Sequence, residues 1–475
     1  MSREITGVKP HFRPARRQTN PYRVLLLFSL ILAGVWMLLR VERGQVQPLF
    51  LATPTPTRSA SSFILEGEAQ FDAGSLEAAI GAYQEAVRVD PANAEVWAEL
   101  ARIQTYSSGL LSTDQEQYDR LKEARESIEQ AAALDPDDPN VHAMRSFVLD
   151  WYAANPLVEA AERQSSLNEA ETAAVRALQL DSENAAALAF FAEILVDQQK
   201  WAQAEETIQQ AAAIDPDSMD VQRVFGYVME STRQYRLAIE KYQEAARITP
   251  NLTFLYILIG RNFLALEVHN RALQEFERAV AINEQLGVKD PVPYIEIAKT
   301  YTRDGEFFIA ALNAEKAVTF NPYNPNTYGQ LATIYNKARN FESAKPAFKC
   351  AVSGCTAGEN EIAERLLGEG VEVKGLPLTS GTVGFYYLQY ASVLAALSRP
   401  NQNYCPEALE VQEQVREKYP QDEIFNAIIE ENRTICGMVG RSQTSQTTPA
   451  PQGSPTSQMS PTPGVSSTPG VDETP

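Results

Sequence analysis

"AIEKYQEAARITP" occupies Ala238 to Pro250, and "AIGAYQEAVRVDP" occupies Ala79 to Pro91, 159 residues earlier. Two near-copies of one phrase mark a repeated structural unit, and its period decides the fold. Counting back from Pro250, Ala245 stands five residues before, Tyr242 eight before and Ala238 twelve before; Pro91 has Ala86, Tyr83 and Ala79 at the same distances. Ala131, Ile128 and Ala124 fill those places before Pro136, Ala177, Ala174 and Ala170 before Ser182, and Ala211, Ile208 and Ala204 before Pro216. They recur before Glu284 (Ala279, Phe276, Ala272), Pro322 (Ala317, Ala314, Ala310) and Thr356 (Ala351, Phe348, Ala344), and more weakly before Pro420 (Val415, Gln412, Ala408). Steps of three and four residues are helical, and a proline or its substitute stops each helix.

A second pattern starts six residues past each mark: a large residue, another three on, then a small one. Trp97, Leu100 and Ala101 follow Pro91; Tyr256, Ile259 and Gly260 follow Pro250; Tyr328, Leu331 and Ala332 follow Pro322. Phe63 and Gly67 hold matching places in the first unit, Tyr294, Ile297 and Ala298 in the seventh, Tyr387, Tyr390 and Ala391 in the ninth. One helical hairpin cannot bury its apolar face alone, whereas stacked hairpins share a continuous core.

This pattern resembles the tetratricopeptide repeat family, a 34-residue helix–turn–helix, over about residues 60 to 437. The resemblance implies an all-α, right-handed superhelical solenoid of about nine units. It also implies a concave groove, lined mainly by first helices, that binds peptides and partner proteins. The marks at 182, 216, 250 and 284 are each 34 apart. Intervals of 45 and 46 put extra residues in units two and three, near "SSGLLSTDQEQ" and "NPLVEAAERQSS", and 38 adds some through "NEQLGVKD".

The expected organisation is a basic segment 1–23, an apolar span 24–41, a linker 42–62, a solenoid 63–437 and a disordered Ser/Thr/Pro-rich tail 438–475. Val24 to Leu39 carries no charge, and with Val41 and a snorkelling Arg40 it reaches the low end for a membrane helix. The competing reading is a cleaved signal peptide; its apolar core would be shorter, and "RVERGQVQPLF" offers no small-x-small site. Eight Lys/Arg against two Glu make residues 1–43 about +6, leaving about −26 of the net −20 on the remainder. The positive flank places the N-terminus in the cytoplasm and the repeats outside. So acidic a body should repel nucleic acid.

Three histidines, His11, His142 and His269, stand apart from one another and from any metal or nucleophile motif. No nucleotide-binding glycine loop and no G-x-S-x-G occurs, so no catalytic residue, metal or cofactor is expected, and no small-molecule substrate is evident. Acidic clusters such as "DPDDPN" read as turns. All four cysteines lie in the last quarter. Cys405 opens a second helix and Cys436 ends the next, so their ends should be neighbours; Cys350 and Cys355 close a small loop. Disulfides, free thiols and a zinc site are all open, with the even count and outside location favouring disulfides. Residues 357–384 interrupt the repeats, as an insertion or a contact loop, with a hairpin-like Val alternation.

The positions expected to face the groove in units five to eight include Arg223, Tyr227, Arg261, Lys299, Arg303 and Lys337; units two to four offer Glu99, Glu193 and Asp197. A basic half suits an acidic or carboxylate-bearing segment. Ordinary surface charge is the plainer reading, since Glu230 and Glu296 lie in the same region. The function expected is a membrane-anchored scaffold or adaptor for a protein or peptide; the alternative is a substrate-presenting accessory subunit of an envelope enzyme or assembly machine.

Overall fold

A computed structural model describes residues 20–42, 58–111, 113–399 and 401–446. They form twenty-one α-helices and one short 3-10 turn, with no strand among the described residues. Helix α1 (Pro21–Glu42) belongs to a unit of its own, and the repeat body begins at Ser59. Among the described residues no helix is long and apolar enough to cross a membrane.

The body is a run of antiparallel helix pairs. The first five are α2 (Ala60–Asp72) with α3 (Leu76–Val89), α4 (Ala94–Ser108) with α5 (Asp114–Leu134), α6 (Pro139–Ala154) with α7 (Ala160–Leu180), α8 (Ala185–Asp197) with α9 (Trp201–Ile214), and α10 (Met219–Ser231) with α11 (Tyr235–Ile248). Then come α12 (Thr253–Ala265) with α13 (His269–Leu286), α14 (Val292–Arg303) with α15 (Phe307–Phe320), and α16 (Pro325–Lys337) with α17 (Phe341–Val352). A short α18 (Glu361–Leu367) precedes the ninth pair, α19 (Gly381–Leu397) with α20 (Cys405–Lys418), and α21 (Glu423–Gln446) closes the array.

The repeated positions are the core. Every residue five, eight and twelve places before a mark is at most 3% exposed. The small residue of a first helix receives the ring of its partner: a Cβ added at Gly67, Gly226 or Gly260 would lie 2.4, 2.6 or 2.3 Å from Tyr83, Tyr242 or Phe276. That contact lets helix backbones approach closely, which is why the small residue is there.

The turns explain the second pattern. Two residues past the mark, Asn93, Asp138, Asn184, Ser218 and Asp422 each cap the next helix, accepting from a backbone N–H two or three residues on. Six residues past it, a side-chain donor reaches back to the mark's carbonyl: Trp97 to Pro91 at 3.1 Å, Gln222 to Pro216 at 2.8 Å, Tyr256 to Pro250 at 2.7 Å, Tyr328 to Pro322 at 3.0 Å and Asn426 to Pro420 at 3.0 Å. His142 Nε2 sits 2.8 Å from Pro136 O in the same way. In these six units the position holds hydrogen-bonding capacity in common, whereas Leu188 and Ile362 fill it with bulk alone.

Several boundaries differ from those expected. The first repeat helix starts at Ala60, where Ser59 caps it, rather than at residue 63. The tail boundary at 438 moves: α21 continues to Gln446, because Ile435 and Val439 pack on the C-terminal core. Cys436 thus lies inside a helix, not at its end. Residues 447–475 fall outside the described residues. Of the two readings of 357–384, hairpin or ordered loop, the segment takes the loop, with a 3-10 turn, α18 and one antiparallel bridge, Val373 to Cys355.

Candidate functional site

First helices face the inside of the array, and in its N-terminal half that inside is filled. Tyr106 of α4 stacks on Phe254 of α12 (5.4 Å between centroids, 12° between planes) and touches Phe147 and Trp151 of α6. Phe147 in turn stacks on Phe190 of α8 at 4.6 Å. Contacts from the second unit to the sixth close the coil upon itself. The turn after α2 meets the turn before α12: Asn251 Nδ2 donates to Asp72 O at 3.0 Å. Gly74, at φ +81°, permits that approach; a Cβ there would lie 2.2 Å from Asn251 O.

Through this aromatic cluster runs a chain of buried charge. Arg223, 3% exposed, forks onto Glu193 with bonds of 2.9 and 2.6 Å, and its Nε donates to Tyr106 OH at 3.1 Å. The Tyr106 hydroxyl donates to Asp220, which also holds Arg102 at 2.8 Å; Arg102 reaches Glu99 at 2.5 Å. Trp151 Nε1 donates to Glu193 at 3.1 Å. The Arg223 guanidinium lies 5.3 Å from the Phe147 ring centre and 5.4 Å from that of Tyr106. Fork geometry and aromatic faces suit arginine and not lysine.

The six residues expected to line a groove divide three ways. Arg223 is a structural member of the closed interior. Tyr227, half-buried, donates to Asp197 at 2.8 Å, and Arg261 and Lys299 converge on one oxygen of Glu296 at 3.0 and 3.1 Å. Glu296 is 5% exposed; burial pushes its carboxyl up, but Arg261 and Lys299 outweigh that and hold it below the usual range. Arg303 and Lys337 are exposed in the last turns of α14 and α16 and make no ion pair among the described residues. Cys405 and Cys436 are bonded at 2.08 Å and Cys350 and Cys355 at 2.04 Å, leaving no free cysteine.

A half-enclosed cavity of about 370 Å³ opens beside the Arg223 fork, lined by Asp150, Trp151, Asp197, Tyr227 and Arg261 among others. Asp150 is the residue that sequence reading missed. Its signal was present: it is the single charge in "SFVLDWYAA", on an otherwise apolar stretch. Burial raises its carboxyl well above the usual range, the charges of Asp197 and Glu193 add to that, and Arg223 opposes it.

Two segments of the chain match family models, residues 162–224 the model described as "Tetratricopeptide repeat" and residues 67–104 that described as "TPR repeat". These segments are tetratricopeptide repeats, and the helix pairs around them continue the same register. A search of curated proteins gives no match. Among solved structures the chain is similar to a thermophilic TPR protein of Thermus thermophilus, at 18% identity and TM-score 0.36, over 44% of this chain and 99% of that one. It is similar to a tetratricopeptide repeat protein of Parabacteroides merdae at 16% identity and TM-score 0.35, over 59% and 100%. It is also similar to the Cut9–Hcn1 hetero-tetramer of APC/C at 14% identity and TM-score 0.39, over 78% and 76%. These overlaps are too loose to carry anything further to this chain.

Proposed function

We propose that this chain is a non-enzymatic, membrane-anchored scaffold whose repeat array holds a partner protein or peptide outside the membrane. The observation that supports this best is the array itself: nine helix pairs in one register, with chemistry-bearing side chains gathered on first helices. The anchor rests on sequence. The uncharged run from Val24 to Leu39 lies behind a basic flank. The paired cysteines favour an oxidising compartment for the repeats.

For the partner, the exposed Arg303 and Lys337 favour a carboxylate-bearing segment on the C-terminal half. Arg261 and Lys299 are poor probes of it, because reversing either removes one of the two cations on the buried Glu296 carboxylate and sets a like charge beside it. The test is cross-linking in the native membrane with Arg303→Glu and Lys337→Glu together. Loss of a specific cross-linked partner, with unchanged thermal melting, supports the reading; an unchanged partner set contradicts it. Co-purification at fixed stoichiometry with a catalytic chain would favour the accessory-subunit alternative. Protease protection of the repeats in sealed cells tests the topology.

A further inference from the structure

The 370 Å³ cavity has an electrostatic imbalance. Three carboxylates face it, Asp150, Glu193 and Asp197, against two arginines. Both arginines are committed elsewhere. Arg223 spends its fork on Glu193, and Arg261 reaches Glu296. That leaves Asp150 and Asp197 without an ion-pair partner among the described residues. Asp197 stands at the exposed rim and accepts from the Tyr227 hydroxyl. Asp150 stands inside: it is 2% exposed, and its Oδ1 has no hydrogen-bond partner among the described residues.

A buried carboxyl oxygen with no donor costs roughly 1–3 kcal/mol or more. Protonation relieves the charge of Asp150 in the free protein, and a cation entering the cavity would supply a donor and favour the ionised form. A metal ion does not fit: no group of three or more His, Cys, Asp or Glu side chains converges to hold one among the described residues. The rest of the wall is apolar and aromatic, with Trp151, Tyr227 and Phe254 presenting rings. Aromatic faces with a buried carboxyl are the surroundings in which an organic cation on an apolar stem is favoured over a hydrated ion.

We propose that this cavity receives the cationic end of an organic ligand, a primary ammonium or a guanidinium on a short apolar stem. Asp150 is the inner acceptor, Asp197 the acceptor at the rim, and the Trp151 and Tyr227 rings flank the stem. The same chemistry is carried by a lysine or arginine side chain of a bound peptide and by a free amine such as a diamine. The inference rests on the scaffold reading only in that a peptide is one of these two sources.

The test is calorimetric titration of the full chain in detergent with cadaverine, agmatine and a short lysine-bearing peptide, and with 1,5-pentanediol as the neutral match for cadaverine. Saturable binding of a cation, none of the diol, and at least a tenfold loss in Asp150→Asn with unchanged melting are expected. Asp197→Asn should weaken binding several-fold, and decides the matter if Asp150→Asn does not fold. No saturable cation binding, equal binding of the diol, or undiminished affinity in the variant that folds overturns the proposal. Tighter peptide than diamine binding assigns the cation to a partner side chain, and the reverse to a free amine; both support the shared chemistry. The cross-linking experiment above is scored in parallel. Partner capture without cation binding removes this inference and leaves the scaffold; loss of both removes both.

Discussion

The two ends of the repeat array are held by different chemistry. A main apolar core runs from Phe71 to Ile297, with three small clusters between Ala98 and Ile194, and another core runs from Ala298 to Cys436, the two main cores meeting within α14. The N-terminal part contains no cysteine and ties its turns together through space: Tyr106 meets Asp220 and Arg102 meets Asp220 across 114 and 118 residues of sequence. Among the described residues the C-terminal part makes no such buried ion chain. It is fastened covalently, by Cys350–Cys355 beside the 372–376 loop and by Cys405–Cys436 between α20 and α21. A repeat array has weak ends and nearest-neighbour contacts only. Closing the coil answers that problem at one end, and a clamp on the last helix answers it at the other.

The largest effect should come from breaking the buried fork. Glu193→Ala leaves Arg223 charged and unpaired, and chemical denaturation should show the N-terminal part destabilised by about 3–5 kcal/mol. Replacing both, Glu193→Leu with Arg223→Met, should return most of that loss. A single and a double variant equally unstable would mean that the fork acts by packing alone.

Removing the clamp comes next. Cys405→Ala with Cys436→Ala opens a 31-residue closure, a loss of roughly 3–4 kcal/mol by loop entropy. Hydrogen exchange should rise in α21 and stay unchanged in α4 to α10. A rise throughout would erase the distinction between the two parts.

The junction should respond to pH. Asp290, just before α14, is pushed up to about 6 by burial, with the Val292 N–H and the Asn283 side chain opposing that rise. An unfolded aspartate titrates near ~3.9. Between these values the folded chain holds more protons, so this residue's contribution is full below about pH 4 and falls as pH rises to about 6. Melting of wild type relative to Asp290→Asn should drop across that window by about 1–3 kcal/mol and stay flat above it. A difference independent of pH would remove Asp290 from the account.

The smallest effect has the most informative sign. Gly260→Ala would stabilise an open helix by about 1 kcal/mol, but here the new Cβ meets Phe276 at 2.3 Å. Destabilisation by about 1–2 kcal/mol is expected. Stabilisation would show that the close helix approach is slack.

What was legible in the sequence was what repeats. The positions five, eight and twelve before each mark name the core because each is solved identically in every unit. The donor role six residues past the mark was hidden, because Trp97, His142, Gln222, Tyr256 and Asn426 share a hydrogen bond and not a side-chain type. The turn inside the unit was hidden in part. In six units it needs a left-handed residue; Gly74 and Gly305 announce it in two, but Gln199, Arg233, Glu267 and Arg339 stand there in the other four without glycine's signature. The inner face was least legible of all. Arg223 reads as a groove cation by its helix position, and nothing local announces that the second and fifth units meet. Burial that arises from long-range curvature leaves no periodic trace.

The central claim is that the N-terminal coil closes on itself, and the Arg102–Asp220 pair tests it most directly. The two residues lie three units apart and are joined at 2.8 Å. A double-mutant cycle with Arg102→Met and Asp220→Asn, read by chemical denaturation, should give a coupling of about 1–3 kcal/mol. Additive single effects, with coupling below about 0.5 kcal/mol, would mean that the coil stands open and that its inner face is a groove after all.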